Sequence, residues 1–278
     1  MTDGGPADAV DGVRHISSFS NATIKRVRQL SQKKHRQAEG LFMAEGLRIA
    51  TEALDAEIVP RILIVGEDGD DHKLVRRLTS ATLAVGGEVL TVPRALLAKV
   101  SGKDNPQGVV AAYSFLDTAL LRFDRSSSNI WIVCEALKDP GNLGTILRTA
   151  DAVSAGGVIL LDNSCDPFSV EAVRASMGAI FTVPLAQATG EEFFRWLRPG
   201  KGQLVGTSLK ASVDYQAVSY DEPTFIFLGN EQRGLPDNYE AACDLLVKMP
   251  MLGRADSLNV AVSCAVMAYE VLNQQRNR

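Results

Sequence analysis

At 278 residues and 46% hydrophobic content, the chain can fill the cores of two ordinary domains. Its longest uncharged apolar stretch, Val260 to Tyr269, is far short of the roughly 20 residues that cross a bilayer, and its opening MTDGGPADAVDG is acidic where a secretory leader is basic and apolar, so a cytoplasmic location is expected. A net charge of −4 gives no global sign of a polyanion partner, and the four cysteines lack the CxxC spacing of a zinc site, yet Arg14 to Ala38 carries seven Lys/Arg and no acid.

In chain order, residues 1–15 read as a flexible N-terminus. Residues 16–115 read as a small α/β domain: helix NATIKRVRQLSQ, helix FMAEGLRIATEAL, strand RILIVG, helix DHKLVRRLTSATLAV, strand GEVLTVP, helix RALLAKV and strand QGVVAAYSF. Residues 116–129, with their Ser-rich end, read as a linker in which TALLRF could pack as a short helix. From residue 130 to 278, longer apolar strands (NIWIVCEAL, GGVILLD, FTVPLA, GQLVGTS, TFIFLGN, DLLVKMPM) alternate with helical stretches, which predicts a mostly parallel sheet covered on both faces. The chain closes on an apolar helix, SLNVAVSCAVMAYEVLNQQ, with Asp256 or Ser257 as the expected N-cap.

Ligands of such sheets settle beyond the carboxyl ends of the strands, and three post-strand loops stand out. In LKDPGNLGTILRTAD, Gly141 and Gly144 are expected to let a ligand approach the backbone, and Arg148 should point about 200° away from core-facing Ile146. In FLGNEQRGLPD, Glu231 is a strand-end carboxylate flanked by glycines. In MPMLGRADSLNVAV, Ser257 and Asn259 open the last helix. Taken singly, each could be an ordinary turn, a solvated carboxylate or a satisfied cap. No GxGxxG and no Gly-Lys-Ser/Thr ending occurs, which argues against a Rossmann or P-loop nucleotide site.

Taken in order, KDPGNLGTILRTADA, VRASMGAIFTVPL, LGNEQRGL and MPMLGRADSLNVAVSCAV resemble the SpoU, or TrmH-like, branch of the SPOUT RNA methyltransferases. The resemblance implies a C-terminal SPOUT domain with a trefoil knot, behind a smaller N-terminal L30e-like domain that binds substrate RNA. It implies S-adenosylmethionine as cofactor, methylation of a ribose 2′-hydroxyl in structured RNA, ribosomal above all, and a homodimer formed through the C-terminal domain. Carried over residue by residue, Arg148, Asn142, Glu231, Asn259 and Ser257 would form the catalytic set. Main-chain groups around Thr207, Leu228, Gly229, Asn230, Met249, Pro250 and Leu258 would hold the cofactor, without the acidic residue that binds a ribose in a Rossmann site. Asn21, Lys25, Arg28, Lys33, Lys34, Arg36 and Arg48 would contact RNA phosphates. No metal and no DNA partner are expected. Gln232, where the family commonly has Gly, departs from the pattern and with Arg233 could widen or recharge the substrate entrance, which bears on target choice; Asp256, where it commonly has Glu, keeps the charge but shortens the reach.

A transfer RNA methyltransferase, or a non-catalytic RNA-binding or ribosome-assembly factor on the same fold, are the competing readings. The joint presence of Asn142, Arg148, Glu231 and Asn259 favours the enzyme, because a binding module needs no such set.

Overall fold

The structure, a computed structural model, describes residues 12–69 and 72–277. The chain divides into two compact units: the first ends at Phe115 and takes in Phe168–Val170, and the second holds Leu116–Pro167 and the chain from Glu171 onward.

Up to Phe115 the elements are β1 (Val13–His15), α1 (Ala22–Gln29), α2 (Lys33–Glu39), β2 (Leu41–Glu45), α3 (Leu47–Asp55), β3 (Ile62–Gly66), α4 (Lys73–Ala84), β4 (Glu88–Val92), α5 (Arg94–Ser101) and β5 (Val109–Ser114). The strands form one mixed sheet, β1-β4-β3-β5-β2, in which β5 runs antiparallel to both neighbours. Ile24, Val27 and Leu30 pack with Ile64, Leu90 and Leu97 on one of its faces.

Two expectations fail in this unit. FMAE was expected to begin a helix, but Leu41–Glu45 is a strand, buried at every position and paired with β5 from Leu41↔Ser114 to Glu45↔Val110. Leu, Met, Ala and Glu favour helix locally, and the ladder offered by β5 outweighs that preference. Gly46 then turns the chain into α3 at φ 107, where a Cβ would stand 2.5 Å from Gln107 Oε1. Of the expected flexible N-terminus, residues 1–11 lie outside the described residues, but Val13–His15 is β1, held on β4 by parallel pairing.

From residue 116 the elements are β6 (Ile130–Glu135), α6 (Pro140–Ala152), β7 (Val158–Leu161), α7 (Val170–Ser176), α8 (Ala179–Thr182), β8 (Leu185–Ala188), α9 (Gly190–Leu197), β9 (Gln203–Thr207), β10 (Val213–Asp214), β11 (Thr224–Leu228), α10 (Asp237–Glu240), β12 (Leu245–Lys248) and α11 (Val260–Arg276). Among the described residues the strands form one sheet, β10-β12-β9-β11-β6-β7-β8, parallel at every pairing. The near-continuous apolar strands are buried along their length, as a sheet covered on both faces requires.

Residues 116–129, expected as a linker, instead fold onto the second unit. Leu120 and Phe123 are buried in its core beside Trp131, whose ring stacks on Phe225 at 6.0 Å. The expected strand FTVPLA also shortens: Phe181 and Thr182 end α8, and β8 begins only after Pro184, which has no N–H for a ladder. Among the described residues no helix is long and apolar enough to cross a membrane.

Candidate active site at the carboxyl ends of β6 and β11

β6 and β11 are neighbours in the sheet, with Leu228 beside Cys134, but they lead in opposite directions: β6 to β7 on one side, β11 to β12 beyond β9 on the other. That reversal opens a crevice at their carboxyl ends.

The first loop leaves β6 through Ala136, at φ 43, and enters α6 at the N-cap Asp139, whose carboxylate accepts from the Asn142 N–H at 2.8 Å. Pro140 stands in the first turn, where a missing N–H costs nothing. The expectation that Gly144 opens the backbone to a ligand is corrected. A Cβ there would overlap Ala175 and reach within 2.7 Å of the Ser176 nitrogen, so Gly144 lets α6 lie against α7.

Glu231 is the hub of the site. Its carboxylate accepts from the backbone N–H of Lys138 at 3.2 Å and of Asp139 at 3.1 Å, and from the side-chain amides of Asn142 and Asn230, both at 3.3 Å. Burial pushes this carboxyl up, but the N–H groups of Asp139, Glu231 itself and Lys138, with the Asn142 amide, outweigh it and hold it below its ordinary value. The Asn142 carbonyl oxygen in turn accepts from the Asn259 amide at 2.9 Å. Asn259, and neither Asp256 nor Ser257, caps α11, accepting from Ala261 N–H at 2.9 Å. One side-chain relay thus ties together the loop after β6, the loop after β11 and the start of α11.

Two cavities adjoin at this relay. The smaller, about 280 Å³, is lined by Thr207, Leu228, Gly229, Asn230, Met249 and Leu258 among others. Pro250, expected with them, is exposed and lines neither cavity. The larger, about 880 Å³, is lined by Glu135, Asp139, Asn142, Glu231, Ser257 and Asn259 among others. Residues 230–235, Ser257, Leu258 and Val260 face both. A small molecule in one cavity and a larger one in the other would meet across that common wall.

Arg148 is not brought to this relay. It lies exposed on α6, opposite buried Ile146 and Ala150, lines neither cavity, and has no hydrogen-bond or ion-pair partner among the described residues. The periodicity gave its direction correctly, away from the core and outside both cavities.

In the first unit Lys25, Arg28, Lys33, Lys34 and Arg48 are exposed. Two expected phosphate contacts are corrected. Arg36 is 3% exposed and donates to the Leu30 and Ser31 carbonyls at 2.8 and 2.9 Å, closing the end of α1. The Asn21 side chain caps the other end of that helix, accepting from Thr23 and Ile24 N–H.

Sequence reasoning missed Glu240, an acid in a cavity expected to lack the ribose-binding acid of a Rossmann site. It lines the smaller cavity, accepting from Ser208 Oγ at 2.6 Å and Lys210 Nζ at 3.0 Å. No sequence signal links α10 to the end of β9; only the fold brings them together.

The profile of the SpoU rRNA methylase family matches residues 129–269, and that of the MRM3-like substrate-binding domain matches residues 21–111. An S-adenosylmethionine-bound rRNA methyltransferase structure from Sinorhizobium meliloti is similar at 38% identity and TM-score 0.88, over 94% of this chain and 98% of that one. The SpoU methyltransferase AviRb from Streptomyces viridochromogenes, also with this cofactor, is similar at 27% identity and TM-score 0.82, over 92% and 98%. The 23S rRNA (guanosine(2553)-2′-O)-methyltransferase RlmP of Bacillus subtilis strain 168 is 28% identical over 93% of this chain and 99% of its own length.

Proposed function

The chain belongs to the SpoU rRNA methylase family, and from that premise we propose that it methylates one ribose 2′-hydroxyl of ribosomal RNA, bound in the larger cavity. It is an S-adenosylmethionine-dependent RNA 2′-O-methyltransferase. The single observation that carries the site assignment is the wall shared by the two cavities, because methyl transfer needs cofactor and nucleophile in separate pockets that meet at one point.

The smaller cavity suits the cofactor. Leu228, Met249 and Leu258 offer apolar surface to a purine, and the hydroxyls of Thr207 and Ser208 with the Glu240 carboxylate offer partners to hydroxyl and amino groups. When bound, S-adenosylmethionine supplies an activated methyl on sulfur. The protein's task is then to align a ribose hydroxyl and ease the loss of its proton. Glu231 fixes the two loops against each other, and Asn142, held between Glu231 and Asn259, is pre-aimed at the ribose. Ser257 lines both cavities beside them.

Arg148 is the remaining member of the set, and in this reading it enters the site of a second subunit. A stripe on α11, with Val262 47% and Tyr269 52% exposed about two helical turns apart, supports a homodimer formed through this unit. Once delivered, its guanidinium stays protonated and would hold the target's phosphate or hydroxyl in line with the methyl. Lys25, Arg28, Lys33, Lys34 and Arg48, on an L30e-like first unit, anchor RNA through its backbone. The insertion of β11 between β6 and β9, and the return of α11 onto α6, support a trefoil knot at the C-terminus. A ribosomal RNA target supports a cytoplasmic location.

Labelled methyl transfer to total RNA from a strain lacking the gene tests this reading. A single alkali-resistant linkage in ribosomal RNA, lost with Arg148→Ala, is expected. Incorporation into transfer RNA alone would move the substrate. No incorporation, with cofactor and RNA still bound, would leave a binding protein on a methyltransferase fold.

A further inference from the structure

We propose that Arg233 holds an RNA phosphate next to the target ribose, at the seam between the two cavities; this rests on the reading of the larger cavity as the RNA site. The turn that carries Arg233 is rigid. Asn230 and Gly234 exchange backbone hydrogen bonds of 3.1 and 2.9 Å, and Gly234 supplies the φ of 68 the turn needs. The Asn230 side-chain oxygen accepts from the N–H groups of Gln232 at 3.0 Å and Arg233 at 3.2 Å, while its amide donates to the Ala136 carbonyl at 2.8 Å. At the base of the turn Gly229 lies so close to the backbone of Gly234 and Leu235 that a Cβ has no place. The tip is therefore fixed to the ends of both β6 and β11.

Arg233 leaves this tip exposed, lines both cavities, and makes no side-chain hydrogen bond or ion pair among the described residues. The other charges of the larger cavity are already engaged. Asp139 caps α6, Glu231 accepts from four donors, and Lys138 Nζ donates to the Asn163 carbonyl. Glu135, on the same cavity, is pushed up by burial and by Asp162, and pulled down by the Asn230 backbone and the charges of Lys138 and Arg233. Three carboxylates against two cations make a poor receptacle for a phosphodiester unless one cation is uncommitted. Arg233 is that cation, and its planar fork matches two phosphate oxygens.

The chemistry of a nucleotide gives this position its use. The 2′-hydroxyl and the 3′-phosphate stand on adjacent ribose carbons, so a cation that grips the phosphate at the seam sets the hydroxyl at the common wall. Arg233 is thus a positioning residue, distinct from Arg148 and from the exposed cations of the first unit.

The test is steady-state methylation of ribosomal RNA by wild type, Arg233→Gln and Arg233→Lys across a salt series, with cofactor affinity measured by calorimetry. Arg233→Gln is expected to raise KM for RNA by about 5- to 10-fold and to flatten the slope of log KM against log salt by about 0.7, the loss of one phosphate contact on a single strand. Cofactor affinity should stay at the wild-type value, kcat at saturating RNA should fall because the hydroxyl is held less well in line, and Arg233→Lys should restore the slope. An unchanged salt slope overturns the proposal. So does weakened cofactor binding with unchanged KM for RNA, which would put Arg233 on the cofactor's carboxylate. Wild type inactive on RNA would sink the functional reading itself, whereas active wild type with an indifferent Arg233→Gln sinks only this inference.

Discussion

Glu231 binds donors that come from the loop after β6, so its charge is what closes the crevice. A glutamine there keeps the size but turns two of its own N–H groups toward N–H donors. Glu231→Gln is expected to cost about 1–3 kcal/mol, read as a lower urea midpoint, since charge-assisted hydrogen bonds are worth about that much. Because the folded carboxyl titrates below its ordinary value, its contribution is complete above the unfolded Glu value of about 4.3 and fades as pH falls through the folded one. The stability difference between wild type and Glu231→Gln should therefore shrink as pH drops below about 4.3; a difference constant from pH 7 to 3 would show that the charge plays no part. At this scale the sequence told which residues are polar at strand ends, and the structure joins Asn142, Glu231 and Asn259 as one relay. It could not tell a free cation from an engaged one. Arg36 reads like Lys33 and Lys34, yet it is buried because the carbonyls that end α1 lie within its reach.

Among the elements, α6 shows how one glycine-rich motif mixes two purposes. Gly144 sits where α6 crosses α7, and an added methyl would meet the Ala175 backbone, which cannot rotate away. Gly144→Ala is expected to destabilise the protein by about 1–3 kcal/mol, as overpacking does, with a lower thermal midpoint as its measure. Unaltered stability, with cofactor or RNA binding lost, would return Gly144 to the role of a ligand-loop glycine. The parallel sheet of the second unit and the alternation of strand and helix were legible because apolar strands of four to six residues have few alternatives. β2 was not, because Leu41–Glu45 has helix-favouring residues and takes its strand from β5, some seventy residues away in the chain. The packing of Leu120 and Phe123 was half legible: TALLRF could be read as a short packing helix, but nothing in it says against what it packs.

At the scale of the whole molecule, the uncommitted Arg148 is the observation that a single chain leaves unanswered. The relay residues Asn142, Glu231 and Asn259 line the larger cavity and Arg148 does not, although its helix begins at the cavity's edge. Neither periodicity nor motif spacing could separate a residue that serves its own site from one that serves a neighbour's, because both face away from the core. Subunit mixing separates them. In a homodimer whose Arg148 acts on the partner's site, Arg148→Ala and Asn142→Ala subunits are each inactive alone. A mixed dimer then contains one site that combines the intact Asn142 of one subunit with the intact Arg148 of the other. Equal mixing after denaturation and joint refolding makes about half of all dimers mixed, so about a quarter of wild-type methyl transfer should return. If Arg148 acts within its own subunit, every site in the mixture lacks one of the two side chains and no activity returns. Replacing exposed Val262 and Tyr269 with Glu on the same subunits should abolish the recovery while each separated chain still binds cofactor, if the smaller cavity, whose lining residues lie on one chain, holds it as proposed.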